Sequence, residues 1–293
     1  MANDWITQLN MVHDFPRIWH EPSGETGVPS SPRPASTVLL VRNQPHHNVV
    51  EVLLIERALS TNFGGAFVFP GGTVAVEDHA PSFNKMSNGP NDSDASTVLG
   101  IENGGLGYWV ACIRECFEEA GILLAHRNSP EDSPIMENSD IQRFSIYRNK
   151  LNQREPIFET MCIEESLVLD TNRLAYLSHW ITPKTERKRY TTRFFVAGVP
   201  EDQEAVHDGG EAVHSLWIRP EEALRQQKLG KLPMIMPTIA NLRQICGFSS
   251  TDTLLQEKFA IDPKSIPAIE PKLFKKAGKW VGLLPGEPGY DKH

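Results

Sequence analysis

The sequence has few cysteines, and they form no pattern that would crosslink the chain or bind zinc. Four cysteines occur among 293 residues, none of them in a Cys-x-x-Cys pair. This usage is typical of a reducing compartment rather than of a secreted disulfide scaffold. Cys112 and Cys116 lie one helical turn apart, but no histidine or third cysteine stands close by to complete a zinc site.

Basic charge and long apolar runs are also scarce. Lysine and arginine number 29 against 37 acidic residues, which gives a net charge of −8. Nucleic acids and anionic membrane surfaces attract basic faces, so neither is an expected partner. No apolar run approaches the roughly 18 residues of a transmembrane helix. The N-terminus lacks the basic and then apolar order of a secretory signal, so the expected location is cytoplasmic.

Short β-branched runs and helical patterns follow one another irregularly along the chain. Strands are predicted over residues 36–42, 49–57, 173–183, 191–199 and 212–218, the first two of them antiparallel. Helices are predicted over residues 108–121, 140–153, 156–168, 219–230 and 237–246. Because this order departs from strict strand–helix alternation, the pattern predicts an α+β fold.

Composition divides the chain into three parts. Residues 1–34 are polar and proline-rich and predict an N-terminal extension, and residues 35–258 carry the strand and helix patterns of one domain. Residues 259–293 are rich in proline and lysine and predict an irregular C-terminal extension. Inside the domain, residues 79–107 are rich in Ser, Asn, Gly and Asp with little periodicity, which predicts a long inserted loop.

An acidic cluster stands out in the stretch RECFEEAGI, where one arginine accompanies three glutamates. On a helix with 3.6 residues per turn, Glu115, Glu118 and Glu119 share one face. Like charges at this spacing repel one another, and the C-terminal half of a helix disfavours negative charge. A solvated helix face is the ordinary explanation, but a divalent cation would remove both costs. Carboxylates are the ligands that Mg²⁺ or Mn²⁺ prefers, so the cluster predicts a divalent metal site.

These residues resemble the Nudix box, G-x5-E-x7-R-E-U-x-E-E-x-G-U, in which U is bulky and apolar. The second half matches at every fixed position, from Arg114 through Gly121 to Ile122. The first half departs from the pattern: counted from Gly72, the glutamate position falls on Asp78, and residues 79–113 replace a seven-residue spacer. The resemblance implies a Nudix-type α/β/α sandwich with a mixed sheet, a long insertion in the box and extra C-terminal helices.

The resemblance also implies a role for each matching residue of the box. Glu115, Glu118, Glu119 and Asp78 would bind metal, and Glu115 would alternatively deprotonate the attacking water. Arg114 would orient a glutamate through a charge-assisted hydrogen bond rather than touch substrate.

Residues outside the helix complete the expected site. Gly71 and Gly72 would leave room for metal or phosphate near the backbone. Glu211 stands in a glycine-rich loop from which many Nudix enzymes recruit another glutamate; otherwise it is an ordinary loop acid. Trp180 is either a core residue or a stacking partner for adenine. The cations expected to meet an anionic substrate are Arg57, Arg189 and Arg193.

An interrupted box of this kind resembles that of the peroxisomal-type coenzyme A diphosphatases, over roughly residues 35–220. This implies Mg²⁺- or Mn²⁺-dependent hydrolysis of coenzyme A or acyl-coenzyme A to 3′,5′-ADP and 4′-phosphopantetheine or its acyl form. Two alternatives stay open. One is a Nudix pyrophosphatase for an ADP-sugar, NADH or a dinucleotide; the other is a non-catalytic Nudix-fold binding module. All three glutamates of the helix are present, which favours an enzyme.

Overall fold

The computed structural model describes residues 29–44, 49–60, 64–128 and 138–292, so most of the extension predicted over residues 1–34 lies outside the described residues. The strands are β1 (Arg33–Asn43), β2 (Val50–Arg57), β3 (Phe67–Val68), β4 (Gly71–Thr73), β5 (Ala125–Arg127), β6 (Leu167–Leu169), β7 (Ala175–Ile181), β8 (Tyr190–Gly198), β9 (Ala212–Ile218), β10 (Ala268–Ile269), β11 (Lys272–Lys276) and β12 (Lys279–Leu283). The α-helices are α1 (Asp92–Leu99), α2 (Leu106–Ala120), α3 (Asn138–Asn152), α4 (Phe158–Glu164), α5 (Pro220–Lys228), α6 (Met236–Gln244) and α7 (Thr251–Phe259). None of the helices in these ranges has the length and apolar character needed to cross a bilayer.

A mixed sheet forms the centre of the fold, and β1 lies in its middle. The main path runs β10-β7-β8-β1-β2, with β9 also paired to β2. β1 is parallel to β8 and antiparallel to β2, which confirms the predicted antiparallel pair. Residues 38–41 of β1 are fully buried because both faces of the sheet are covered, and this explains their continuous apolar run.

The segment 67–73 fills a gap where β1 and β2 diverge. Its first residues pair with β2, Phe67 opposite Glu56, and its last residues pair with β1, Gly71 opposite Thr37. The glycine-rich turn is therefore held by hydrogen bonds on both sides of the gap. A side chain at Gly71 would meet the backbone oxygen of Ser36 and the hydroxyl of Thr37 at 2.5 Å, so only glycine fits there.

Helices cover both faces of the sheet, which confirms the predicted α/β/α sandwich of the α+β class. On one face, α2 packs its apolar side against alternate residues of β1 and β8, namely Val38, Leu40, Phe195 and Ala197. On the other face, α6 and α7 pack against the intervening residues, including Leu39, Val41, Phe194 and Val196. This alternation is the period of two that a strand imposes.

Residues 79–107 are not the irregular loop that their composition predicts. They contain a short 3₁₀ turn over Pro81–Asn84 and helix α1, which packs against α2. Asn91 begins α1 by accepting a hydrogen bond from the N–H of Asp94, and Gly100 ends it with φ of 64°. The carboxylate of Asp92 then accepts the N–H groups of Gly104 and Leu106, so it fixes the entry into α2.

The C-terminal region from residue 259 is also more regular than its composition predicts. β10 pairs in parallel with β7 and extends the main sheet, while β11 and β12 form a hairpin. The hairpin turns at Ala277 and Gly278, both with positive φ, which is the backbone of a tight two-residue turn. The prediction of an irregular tail is therefore wrong for this segment.

Candidate active site

Helix α2 brings the arginine and glutamates of RECFEEAG to the edge of the gap between β1 and β2. Its opposite side, with Ile113, Phe117 and Ala120, is buried in the core between the sheet and the neighbouring helices, which fixes the rotation of the helix. The helix ends at Gly121, whose φ of 71° is one that a residue with a side chain rarely adopts. The acidic face consequently lies beside the glycine turn of β4.

Arg114 holds three carboxylates at once. Its Nη1 donates to Oε1 of Glu115 at 2.9 Å and to Oε1 of Glu118 at 2.7 Å. Its Nε and Nη2 donate to the two oxygens of Asp78 at 2.8 and 2.9 Å. Nη2 also donates to the backbone oxygen of Thr73, so the guanidinium ties α2 to β4. That Arg114 orients a glutamate for catalysis stays a prediction.

Asp78, a predicted metal ligand, already has hydrogen-bond partners at both oxygens. Both of its oxygens accept from Arg114, and Oδ2 accepts in addition from the N–H of Ala75 at 2.7 Å. The side chain is only 1% exposed. With both oxygens bonded to Arg114, Asp78 supports the arginine in this arrangement, and a metal-binding role for it stays a prediction.

Glu119 is held from the other side of the gap. Its Oε2 accepts the backbone N–H of Gly71 at 2.8 Å, and its Oε1 lies 3.6 Å from Nη1 of Arg57. Arg57 also donates toward Oε2 of Glu211 at 3.5 Å. The predicted residues Gly71, Arg57 and Glu211 therefore meet at one end of the glutamate cluster.

The loop that carries Glu211 is built by an aspartate that sequence reasoning missed. Asp208 accepts the N–H groups of Glu211 and Ala212 through its two oxygens, at 3.0 and 2.8 Å. The backbone oxygen of Glu211 accepts the N–H of Ala58 at the end of β2. The side chain of Glu211 stays 52% exposed, which leaves it free to turn toward the cluster. The Asp-Gly-Gly sequence was the available signal for this turn.

Burial leaves the negative charge of the three glutamates poorly compensated. It raises the pKa of Glu115 to about 7, although Arg114 acts in the opposite direction. Burial also raises the pKa of Glu118, again opposed by Arg114, and raises that of Glu119 well above its ordinary value. Neighbouring carboxylates, Glu211 among them, add to the last two shifts. The cluster has an excess of buried negative charge, which a bound cation would compensate.

The donor set suits a divalent ion, although the side chains do not yet converge on one point. Within the ranges that the structure describes, no three acidic, cysteine or histidine side chains are grouped closely enough to hold a metal. Arg114 stands between Glu115 and Glu118, and Gly71 holds Glu119. The available donors are carboxylate oxygens on one face of α2, the kind of ligand that such an ion prefers.

The cluster opens into a cavity of about 1030 Å³. Residues predicted for the site that line it are Gly71, Gly72, Arg57, Arg114, Glu115, Glu118, Glu119 and Glu211. Trp180 also lines it while remaining only 3% exposed, as a core residue does, and stacking of this residue on adenine stays a prediction. Two further cations, Arg33 and Arg154, line the cavity and were not predicted.

Arg189 and Arg193 do not line the cavity, which contradicts their predicted role. Arg189 is buried and donates to the backbone oxygens of Ser30 and Thr182 and, at 2.7 Å, to Oε1 of Glu270. Arg193 points to the α2 side of the sheet, where its Nη1 donates to the hydroxyl of Tyr176 at 2.6 Å. Both arginines are thus bonded to groups of the fold away from the cavity lining.

Comparison with known proteins indicates the family of the chain. The model of the family described as the NUDT19 Nudix domain matches residues 91–245. An acyl-coenzyme A diphosphatase NUDT19 from Xenopus laevis is 27% identical over 82% of this chain and 71% of its own length. The protein of the same description from Homo sapiens is 24% identical over 93% of this chain and 77% of its own. A Nudix hydrolase structure from Alicyclobacillus acidocaldarius superposes with a TM-score of 0.62 at 23% identity, covering 78% of this chain and 96% of that one.

The fold and the carboxylate site together define a Nudix hydrolase, an enzyme that acts on phosphorus-containing anhydrides. The chain belongs to the NUDT19 Nudix domain family. Nudix hydrolases generally use divalent metal ions, in keeping with the donor set of α2. The resemblance seen in the sequence is confirmed at the level of the superfamily and of this branch.

A side chain at Gly72 is expected to displace Glu115. A Cβ atom there would lie 2.5 Å from all three carboxyl atoms of Glu115, whose flexible side chain can move away. Gly72→Ala should therefore change the free energy of unfolding by less than about 1 kcal/mol yet lower kcat at least about tenfold. Gly198→Ala is the control, since its Cβ would make only an ordinary contact at 3.5 Å. Equal activity in the two variants would contradict the placement of Glu115.

The raised pKa values predict a pH-dependent effect of metal on stability. A carboxyl whose pKa is raised on folding adds no cost below its unfolded value, 4.5, and its full cost above the folded value, about 7 for Glu115. The metal-free protein should therefore lose stability as the pH rises between these values. Added Mn²⁺ should raise Tm by at least about 3 °C at pH 8 and by little at pH 5. A shift of the same size at both pH values, measured by calorimetry, would contradict this.

Proposed function

We propose that this enzyme hydrolyses the pyrophosphate bond of coenzyme A or acyl-coenzyme A. The products would be 3′,5′-ADP and 4′-phosphopantetheine or its acyl form. The observation that carries the proposal is the mutual arrangement of Arg114, Glu115, Glu118 and Glu119 at one end of a cavity of about 1030 Å³. Relatives named acyl-coenzyme A diphosphatase, 24–27% identical over most of the chain, support this substrate.

We propose Mg²⁺ or Mn²⁺ as the cofactor, with Glu118 and Glu119 as its principal ligands. When bound, such an ion would neutralise phosphate charge and orient the pyrophosphate for in-line attack. Glu118 would give up its hydrogen bond from Arg114 and bind the ion instead. Glu119 would keep its hydrogen bond from the N–H of Gly71 through one oxygen and would bind the ion through the other. The bond to Gly71 would fix the orientation of the carboxylate toward the ion.

The remaining residues would position the attacking water and balance charge. One oxygen of Glu115 accepts from Arg114, and the other would accept a proton from water as the new P–O bond forms. Burial raises the pKa of Glu115 to about 7, which suits a group that takes up a proton near neutral pH. Arg57, between Glu119 and Glu211, would meet the phosphate charge. Glu211 is the alternative proton acceptor.

We also propose that the catalytic domain is longer than the predicted 35–258. It would begin with β1 at Arg33 and extend at least to β10, because Ile269 pairs with Trp180 in the main sheet. The ion pair between Arg189 and Glu270, with N···O of 2.7 Å, supports this boundary. Residues 79–107 would belong to the same domain, since Phe83 and Leu99 are part of its core.

A substrate panel tests the proposed function. The enzyme is assayed with Mg²⁺ or Mn²⁺ against coenzyme A, acetyl-coenzyme A, a long-chain acyl-coenzyme A, ADP-ribose, NADH and a diadenosine polyphosphate, and products are identified by mass. The expected result is the highest kcat/KM with the coenzyme A compounds and release of 3′,5′-ADP. Preference for ADP-ribose, NADH or the dinucleotide would overturn the substrate, and no turnover at all would favour a binding module.

A further inference from the structure

One part of the cavity is lined by apolar side chains and lies away from the carboxylates. We call it the apolar lobe and define it by Trp180, Phe194, Met234, Met236 and Ile239. Trp180 and Phe194 come from β7 and β8, and the other three come from α6 and the segment before it. Nothing in the proposed chemistry of the glutamates uses these residues.

Strand pairing places the apolar lobe beside the carboxylate end. Thr37 of β1 pairs with Gly71 on one side and with Phe194 on the other. Neighbouring strands lie about 4.8 Å apart, so Phe194 is about 10 Å from the backbone that holds Glu119. Trp180 is one strand further, since it pairs with Thr192. If the phosphates of a substrate lie at the glutamates, the group attached to those phosphates would therefore reach the apolar lobe.

One wall of the lobe is formed by a short stretch with the sequence PMIMP, residues 233–237. It has no charged or hydrogen-bonding side chain, and residues 234–237 are all half-buried. It is anchored to the sheet, because the backbone oxygen of Pro233 accepts the N–H of Phe67 at 2.8 Å. Methionine side chains are flexible and polarisable, so they adapt to apolar ligands of different length and shape.

The apolar lobe suits a hydrocarbon better than a purine base. Reading a base requires several hydrogen-bonding groups directed at its edge, and beside these apolar side chains the cavity offers the hydroxyl of Thr192, opposite Trp180, and the indole Nε1 of Trp180. That atom is itself buried and has no hydrogen-bond partner, so it is not presented to the cavity. A hydrocarbon needs no such partner and gains from leaving water.

We infer that the apolar lobe binds the acyl end of the thioester arm, so that affinity depends on acyl-chain length. This inference rests on the proposed function. The phosphates lie at the glutamates, and the arm runs under PMIMP between Met236 and Phe194. Each methylene that becomes fully buried lowers KM by about fourfold, until the lobe is filled.

The test compares KM for free coenzyme A and for its acetyl, butanoyl, hexanoyl, octanoyl and decanoyl esters. The variants are Met234→Gln and Met236→Gln, which keep side-chain length and remove apolar character from half-buried positions. The control is Leu229→Gln, because Leu229 is 56% exposed and lies outside the cavity. Calorimetric Tm values for all variants show that the fold is retained.

In the wild type and the control, KM should fall with chain length and then level off. In the methionine variants the dependence should flatten, with KM for the octanoyl ester raised at least about tenfold and KM for free coenzyme A changed less than about twofold. A KM that is raised equally for every substrate would place the nucleoside in the lobe and overturn the inference. So would a chain-length dependence that both variants leave unchanged. Neither outcome affects the proposed function, which fails if coenzyme A compounds are not hydrolysed or if another substrate of the panel is preferred.

Discussion

Replacing Glu118 with glutamine is expected to lower kcat by at least about a hundredfold and to leave the fold intact. The glutamine keeps the shape of the side chain and can still accept from Arg114. It lacks the charge that an ion ligand needs, so the loss should fall on turnover. The side chain is 16% exposed and its pKa is raised by burial, so removal of its charge should not destabilise the protein.

Glu155→Gln is the matched control for this experiment. Glu155 lines the same cavity, is exposed, and would undergo the same chemical change away from the glutamate cluster. Measurements are kcat, Tm and Mn²⁺ affinity by calorimetric titration. Near-normal turnover and metal affinity in Glu118→Gln, with the control also normal, would remove Glu118 from the metal site.

Replacing Asp78 with alanine should reduce both stability and activity. Asp78 accepts two hydrogen bonds from Arg114 and one from the N–H of Ala75, and it is buried. Removing one partner of a buried ion pair costs about 3 kcal/mol or more, because the remaining groups lose their compensation. Arg114 would then be held only by Glu115, Glu118 and the backbone of β4, so kcat should fall at least about tenfold.

Comparing the loss of stability with the loss of Mn²⁺ affinity shows whether Asp78 positions Arg114 or binds the metal. For Asp78→Ala, denaturant unfolding should show the stability loss, and Asp78→Glu should recover part of it because it restores a carboxylate to Arg114. Mn²⁺ affinity should fall less than in Glu118→Gln. Unchanged stability together with a complete loss of metal binding would instead return Asp78 to the role that its position in the box predicts.

The site helix was predictable because its signal is local. Three glutamates and an arginine within one and a half turns, followed by Gly121, specify a helix, its end and its charged face. The apolar residues Ile113 and Phe117 on the other side then fix which face meets the sheet. The antiparallel pair of β1 and β2 follows from two similarly local runs of buried residues.

The direction of a strand side chain was not predictable in the same way. On β8, Thr192 and Phe194 line the cavity, whereas Arg193 between them points to the α2 side. Successive side chains of a strand alternate between faces, and the sequence does not state which face a ligand uses. Arg33 was missed for the related reason that it enters the cavity only through the parallel pairing of β1 with β8.

The misassigned segments depend on partners that are distant in the sequence. Helix α1 carries a local signal, Asn91 followed by acidic residues, but its short apolar face is stable only against α2. β10 has two residues and gains its structure from pairing with β7, far earlier in the chain. Asp78 likewise shows its role only when Arg114 is seen to occupy both of its oxygens.

Arg114 has a consequence for how the enzyme would respond to metal supply. Because its guanidinium already neutralises part of the cluster and joins α2 to β4, the backbone that carries the site is held in place without an ion. An ion would then exchange with an existing partner instead of nucleating structure. Removal of the ion by a chelator should therefore abolish turnover without causing the protein to be degraded. Return of the ion should restore turnover without new protein synthesis.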